Sequence, residues 1–111
     1  DSLDDLEKIS NILSVEEILN LAINHWGKGK YEIDKTVQPH EANLLKLDIN
    51  KAIAELKWRP VYNVKTAIEK TVNWYKVYYE SNINMKDYTI NHINEYIKEA
   101  KKKEILWSGR L

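Results

Sequence analysis

The chain has no cysteine. Disulfides, thiolate catalysis and cysteine-ligated metals are therefore excluded, and the composition fits a reducing compartment. Phenylalanine is also missing, although there are four Trp and seven Tyr. Each of these rings carries an N–H or O–H that needs a partner when buried, which is compatible with a core beside a polar ligand site. Glycine occurs three times and proline twice. Gly27 and Gly29 fall in one Gly-Lys-Gly turn, too short and wrongly spaced for a dinucleotide fingerprint or a Walker loop. Neither sign of charge dominates. Seventeen basic residues balance seventeen acidic ones, so no net field draws in nucleic acid or an anionic membrane. No apolar run approaches the roughly 18 residues of a membrane span, and no basic-then-apolar signal opens the chain. The expected location is cytoplasmic.

What is present is globular. The chain has 111 residues, 43% hydrophobic and 31% charged, enough for one small domain and not the make-up of a disordered chain. It begins at Asp1 without methionine and is expected to be a fragment or a processed piece. Residues 1–13 read as an acidic, then apolar lead-in with at most one helical turn. Ser14 and Glu17 form a capping box. Val15, Ile18, Leu19, Ala22, Ile23 and Trp26 follow at helical spacing, and Gly27 is the expected left-handed cap. His25, near that end, reads as a helix-end residue. Tyr31 to Asp34 alternates as a short strand, with Tyr31 and Ile33 facing in.

The stretch from Gln38 to Asp48 is where a ligand-contacting loop is best signalled. Pro39 fixes its own φ and pushes Gln38 towards an extended shape. Gln38, His40 and Glu41 place an amide, an imidazole and a carboxylate within four residues. Leu45 and Leu47 alternate with Lys46 and Asp48 as a second short strand that would anchor them. By pattern alone, an ordinary polar connection between core elements is the better fit. Beyond it, Asp48 or Asn50 caps a helix from Lys51 to about Leu56, ended by Trp58 and Pro60. Asn63 caps a helix from Val64 to about Tyr79, with Ala67, Ile68, Thr71, Val72, Tyr75 and Tyr78 or Tyr79 inward and Trp74 near one edge. Thr89 is the cap candidate for a last helix from Ile90 to about Lys103, its apolar face Ile90, Ile93, Tyr96, Ile97 and Ala100. The Lys98, Lys101, Lys102 and Lys103 cluster complements the helix dipole there and also reads as a solvated helix end. Residues 105–111 are expected to be a flexible tail, although Ile105, Leu106 and Trp107 are apolar enough to dock. The sum is α+β, mainly α: about five helical segments and a small sheet of two short strands.

No catalytic template is met. Tyr31 and Lys35 match Tyr-x-x-x-Lys, but the pair works only on a helix, where i and i+4 are neighbours; on a strand the groups stand roughly 13 Å apart. No His, Asp or Glu set has metal spacing, and His92 with Glu95 offers one contact, not a site.

The order of several short words is distinctive. They are Trp26-Gly27-Lys28-Gly29, Pro39-His40-Glu41-Ala42, Leu45-Lys46-Leu47-Asp48, Lys51-Ala52, Leu56-Lys57-Trp58-Arg59-Pro60, Thr71-Val72-Asn73-Trp74-Tyr75 and Met85-Lys86-Asp87-Tyr88-Thr89. From about Ser14 to Tyr96 this order resembles the carboxyl-terminal part of the CDP-glucose 4,6-dehydratases, a branch of the extended short-chain dehydrogenase/reductase family of nucleotide-sugar enzymes. The Lys-Ala…Leu-x-Trp-x-Pro portion is shared across the extended family. The Pro-His-Glu-Ala-x-x-Leu-Lys-Leu-Asp run is the specific one.

The resemblance implies a parent enzyme with an amino-terminal Rossmann domain that holds NAD and the catalytic Tyr and Lys. A smaller carboxyl-terminal domain would bind the nucleotide of CDP-glucose. The parent, a homo-oligomer, would oxidise C4, eliminate water across C5 and C6 and return the hydride to C6, giving CDP-4-keto-6-deoxyglucose for surface-polysaccharide (O-antigen) deoxy sugars. This chain corresponds to the second domain alone. It is expected to hold no NAD, no metal and no catalytic residue, to be inactive by itself, and to have the missing Rossmann domain as its partner. The resemblance assigns Glu41 to the ribose hydroxyls, as the glutamate of Pro-Thr-Glu in the related GDP-mannose dehydratases. His40 replaces their threonine, and Gln38 stands where they carry a phosphate-binding arginine. Lys57 replaces the family's glycine in Leu-Gly-Trp. A left-handed turn there is strained for lysine, so a changed turn is expected. Two other readings stay open: a nucleotide-sugar dehydratase or epimerase with another base, and a non-enzymatic helical interaction module.

Overall fold

A computed structural model describes residues 12–36 and 47–110. Helix α1 is Val15–Trp26, α2 is Asn50–Leu56, α3 is Val64–Glu80 and α4 is Met85–Lys102; a 3-10 turn, Leu106–Arg110, follows. Among the described residues there is no strand, which overturns the expected two-stranded sheet while leaving the mainly helical character.

The reason is local. A strand needs a ladder partner, and Tyr31–Asp34 has none among the described residues. Instead the Tyr31 hydroxyl donates to Glu16 of α1 at 2.7 Å. Asp34 closes a side-chain turn by accepting from the Thr36 N–H at 2.9 Å. Ile33, expected to face in, is 63% exposed. Of the second expected strand, Leu45 and Lys46 lie outside the described residues. Leu47 is exposed, and Asp48 accepts from the Asn50 N–H at 2.9 Å, turning the chain into α2.

The helix ends follow capping residues except at the start of α2, where neither Asp48 nor Asn50 is the cap and Ile49 stands there with no side-chain hydrogen bond. Ser14 accepts from the Glu17 N–H at 3.1 Å, and Gly27 closes α1 in the left-handed region, at φ 95°. Asn63 accepts from the Thr66 N–H at 2.8 Å to start α3. The last helix begins earlier than expected. Asn84, not Thr89, is its cap, accepting from the Lys86 and Asp87 N–H groups. An asparagine side chain satisfies free first-turn donors as well as a threonine, and it comes first in the chain. Lys57 ends α2 with φ 54° and ψ 28°, and the Trp58 N–H reaches back to Ala52 O at 3.4 Å. The left-handed turn expected to change is therefore kept, with lysine in a glycine position. The Lys57 N–H also bonds Ala52 O, so both N–H groups after the helix close its end there.

Helix α1 lies against α3, and their carboxyl-terminal ends meet where Trp26 packs edge-on to Tyr79 at 6.4 Å. Helix α4 runs antiparallel to α3. Trp74 donates to Thr89 at 2.9 Å and Lys70 pairs with Glu95 at 3.1 Å, partners advancing on one helix as they recede on the other. Trp74, placed near an edge by the sequence pattern, thus carries the contact, while Tyr75, Tyr78 and Tyr79 are exposed.

The tightest packing lies beyond α4. Val61, Ala100 and Ile105 are buried, with Tyr62, Tyr96 and Trp107 around them. Ala100 leaves room for Ile105 to fold back, and the Ile105 N–H bonds Ala100 O at 3.0 Å. Trp107 stacks on Tyr96 at 6.0 Å. Residues 105–110 therefore dock on α4, where a flexible tail was expected. Lys103 Nζ donates to Val61 O at 2.6 Å and Arg59 to Lys103 O, tying the segment after α2 to the end of α4.

Candidate functional site

Gln38, His40 and Glu41, the residues assigned to the substrate nucleotide, lie outside the described residues. What is described is the end of their stretch, where Asp48 and Asn50 fix its exit into α2.

The described residues bring together a different constellation, a groove along the seam of α3 and α4. The helices meet there through long side chains. Ala67, Thr71 and Thr89 are small, while Tyr62, Trp74 and Tyr96 stand tall around them, so the seam stays open. Its section nearest the end of α4 encloses about 470 Å³ and is lined by Tyr62, Asn63, Lys70, Lys98, Glu99 and Lys102 among others. The next section, about 350 Å³, is more apolar, with Tyr62, Ala67, Trp74, His92, Ile93 and Tyr96 among its walls. Tyr62 and Lys70 belong to both.

Charge changes along this groove. The Lys70 ammonium lies 3.1 Å from Glu95 and 5.9 Å from the Tyr62 ring centroid. The Glu95 hydrogen bond raises the Lys70 pKa, and burial foremost raises that of Tyr62, against the opposing pull of Lys70. Lys103 Nζ stands 3.9 Å from Glu99. Among the described residues Lys98 and Lys102 carry no such pairing, and they line the groove from α4. At the other end, His92 packs on Tyr88 at 4.4 Å, and Glu95, three residues on, is committed to Lys70.

The Tyr31–Lys35 pair does not have the geometry of an acid–base pair. Tyr31 and Lys35 lie on neither helix nor strand, and the Glu16 hydrogen bond raises the Tyr31 pKa, opposite to what a phenolate base requires. No group of three His, Asp or Glu among the described residues is placed to hold a metal, and none of the described helices is long and apolar enough to cross a membrane.

The groove was not legible in the sequence. The Lys70–Glu95 and Trp74–Thr89 contacts join residues far apart in the chain, and helical periodicity assigns faces, not partners. The one available signal was the small trio Ala67, Thr71 and Thr89 among aromatics.

Comparison with known proteins gives a narrow result. The chain is 33% identical over 66 residues to CDP-glucose 4,6-dehydratase of Salmonella typhimurium (strain LT2), a match covering 59% of this chain and 18% of that enzyme. This supports a distant relationship to that enzyme. No family model matches the chain, and no solved structure does.

Proposed function

We propose that this chain is the substrate-nucleotide-binding part of a nucleotide-sugar dehydratase acting on CDP-glucose. The observation that carries the reading is the 33% identity over 66 residues to CDP-glucose 4,6-dehydratase, together with the Pro39-His40-Glu41-Ala42 run ahead of Leu45-Lys46-Leu47-Asp48. In this reading Glu41 accepts hydrogen bonds from both ribose hydroxyls, as an ionised carboxylate can. His40 and Gln38 lie alongside the ribose and phosphates. NAD and the oxidation and reduction at C4 and C6 belong to the rest of such an enzyme, which also meets the exposed apolar faces of this chain.

The test is a titration of the chain with CDP, and with GDP and dTDP as controls, followed by backbone amide shifts in NMR. Shifts grouped at Gln38–Leu45 with CDP preferred are expected, and Glu41→Gln should weaken them about tenfold, the loss of one charge-assisted hydrogen bond. Equal shifts with all three nucleotides would move the reading to another base. A second reading, a non-enzymatic helical interaction module, draws on the exposure of Tyr75, Tyr78 and Tyr79; it expects no nucleotide response at all. A chain that turned over CDP-glucose with NAD unaided would overturn the assignment of catalysis to another part of the enzyme.

A further inference from the structure

We infer that the α3–α4 groove is a docking site for an extended peptide segment that is acidic at one end and apolar at the other. This proposal does not depend on the nucleotide reading. Three observations converge on the occupant.

The first is charge. The wide section is lined by four lysines and two glutamates, Lys70, Lys98, Lys102 and Lys103 against Glu95 and Glu99. Glu95 is held by Lys70 and Glu99 stands beside Lys103, which among the described residues leaves Lys98 and Lys102 to meet an anion. They are one turn apart on the same face, so their Cβ atoms lie about 5–6 Å from each other. Alternate side chains of an extended segment recur at about 6.6 Å, so an Asp-x-Asp spacing suits the pair. The two glutamates in the same wall disfavour a continuous polyphosphate backbone.

The second is polarity along the groove. Beyond Lys70 the lining turns to Ala67, Trp74, Ile93 and Tyr96. Ile93 is 52% exposed although it borders this section. An apolar or aromatic side chain following the acidic pair would cover it.

The third is length. From Thr89 to Lys102 the helix advances about 20 Å at 1.5 Å per residue, which about six extended residues span. A single phosphate or a free sugar fills only part of that.

The experiment uses the whole chain and two synthetic hexapeptides. One has Asp at its first and third positions and Trp at its fifth; the other has the reversed order, since either chain direction satisfies the charges. Amide shifts are expected at Lys98–Lys102 and at Thr89–Ile93 together, with one of the two peptides. The double variant K98E/K102E should weaken binding about tenfold, the effect of reversing two exposed charges, and K98Q/K102Q should give a smaller loss in the same direction. Circular dichroism confirms that both variants keep their helices. The proposal is overturned if neither peptide moves these amides, if a peptide with Lys in place of Asp binds equally well, or if inorganic phosphate alone reproduces the whole pattern.

Discussion

Lys57 holds a backbone conformation that costs an L-residue roughly 1–2 kcal/mol, at φ 54°. Its ammonium donates to Ala54 O at 3.0 Å from an exposed position, a contact too solvated to offset that cost. Lys57→Gly should therefore stabilise the chain by about 1 kcal/mol, read as a higher urea midpoint with unchanged slope. Asp34 makes a prediction in pH. The Thr36 backbone N–H first, and its hydroxyl second, hold the Asp34 carboxyl below its ordinary value of 3.8. A depressed folded pKa means that the turn's contribution is present above the unfolded value and fades as pH falls through the folded one. Asp34→Asn keeps the turn geometry but cannot titrate. The stability gap between it and the parent chain, measured by urea unfolding, should be open at pH 7 and shrink as pH falls below the ordinary carboxyl value of 3.8.

Among elements, α3 and α4 are joined by few direct links. The Lys70–Glu95 pair is one, with side chains 36% and 55% exposed. A double-mutant cycle with Lys70→Met and Glu95→Gln should return a coupling of about 0.5 kcal/mol, in keeping with half-exposed ion pairs. The helices themselves were legible because their signals are local: Ser14 and Gly27 bracket α1, Asn63 opens α3, and Trp58 and Pro60 follow α2. The failures came where an element needs something distant. Tyr31–Asp34 alternates like a strand, yet alternation cannot supply a neighbouring strand. Thr89 looked like a cap because its hydroxyl was assigned to the backbone, when its partner is the Trp74 indole, 15 residues away. Of the candidate site, the residue types were readable at Gln38, His40 and Glu41; the α3–α4 groove, made by two separated segments, was not.

At the scale of the molecule, deep burial among the described residues is confined to one end. Val61, Ala100, Ile105 and Ser108 are the buried residues among those described. Ile105→Ala should cost about 3 kcal/mol, a large share of the 5–15 kcal/mol that holds a typical domain, and should release Trp107 from Tyr96 along with it. Elsewhere large apolar side chains stay in contact with solvent, with Val15 82%, Leu47 91% and Leu56 73% exposed. Such surfaces mark contact with something else. The chain alone should therefore associate with itself as its concentration rises. Val15→Lys with Leu56→Lys should lower that association in sedimentation velocity without lowering the unfolding midpoint.

The four tryptophans are spread so that no two report the same event. Trp26 closes α1 against Tyr79, Trp58 follows the left-handed turn after α2 and is 40% exposed, Trp74 holds the α3–α4 seam, and Trp107 sits in the docked 3-10 turn. Replacing any three by phenylalanine would leave a single indole emitter at a known place. Four such variants would time-resolve the opening of α1, of the α2 turn, of the groove and of the docked end separately, with no dye attached.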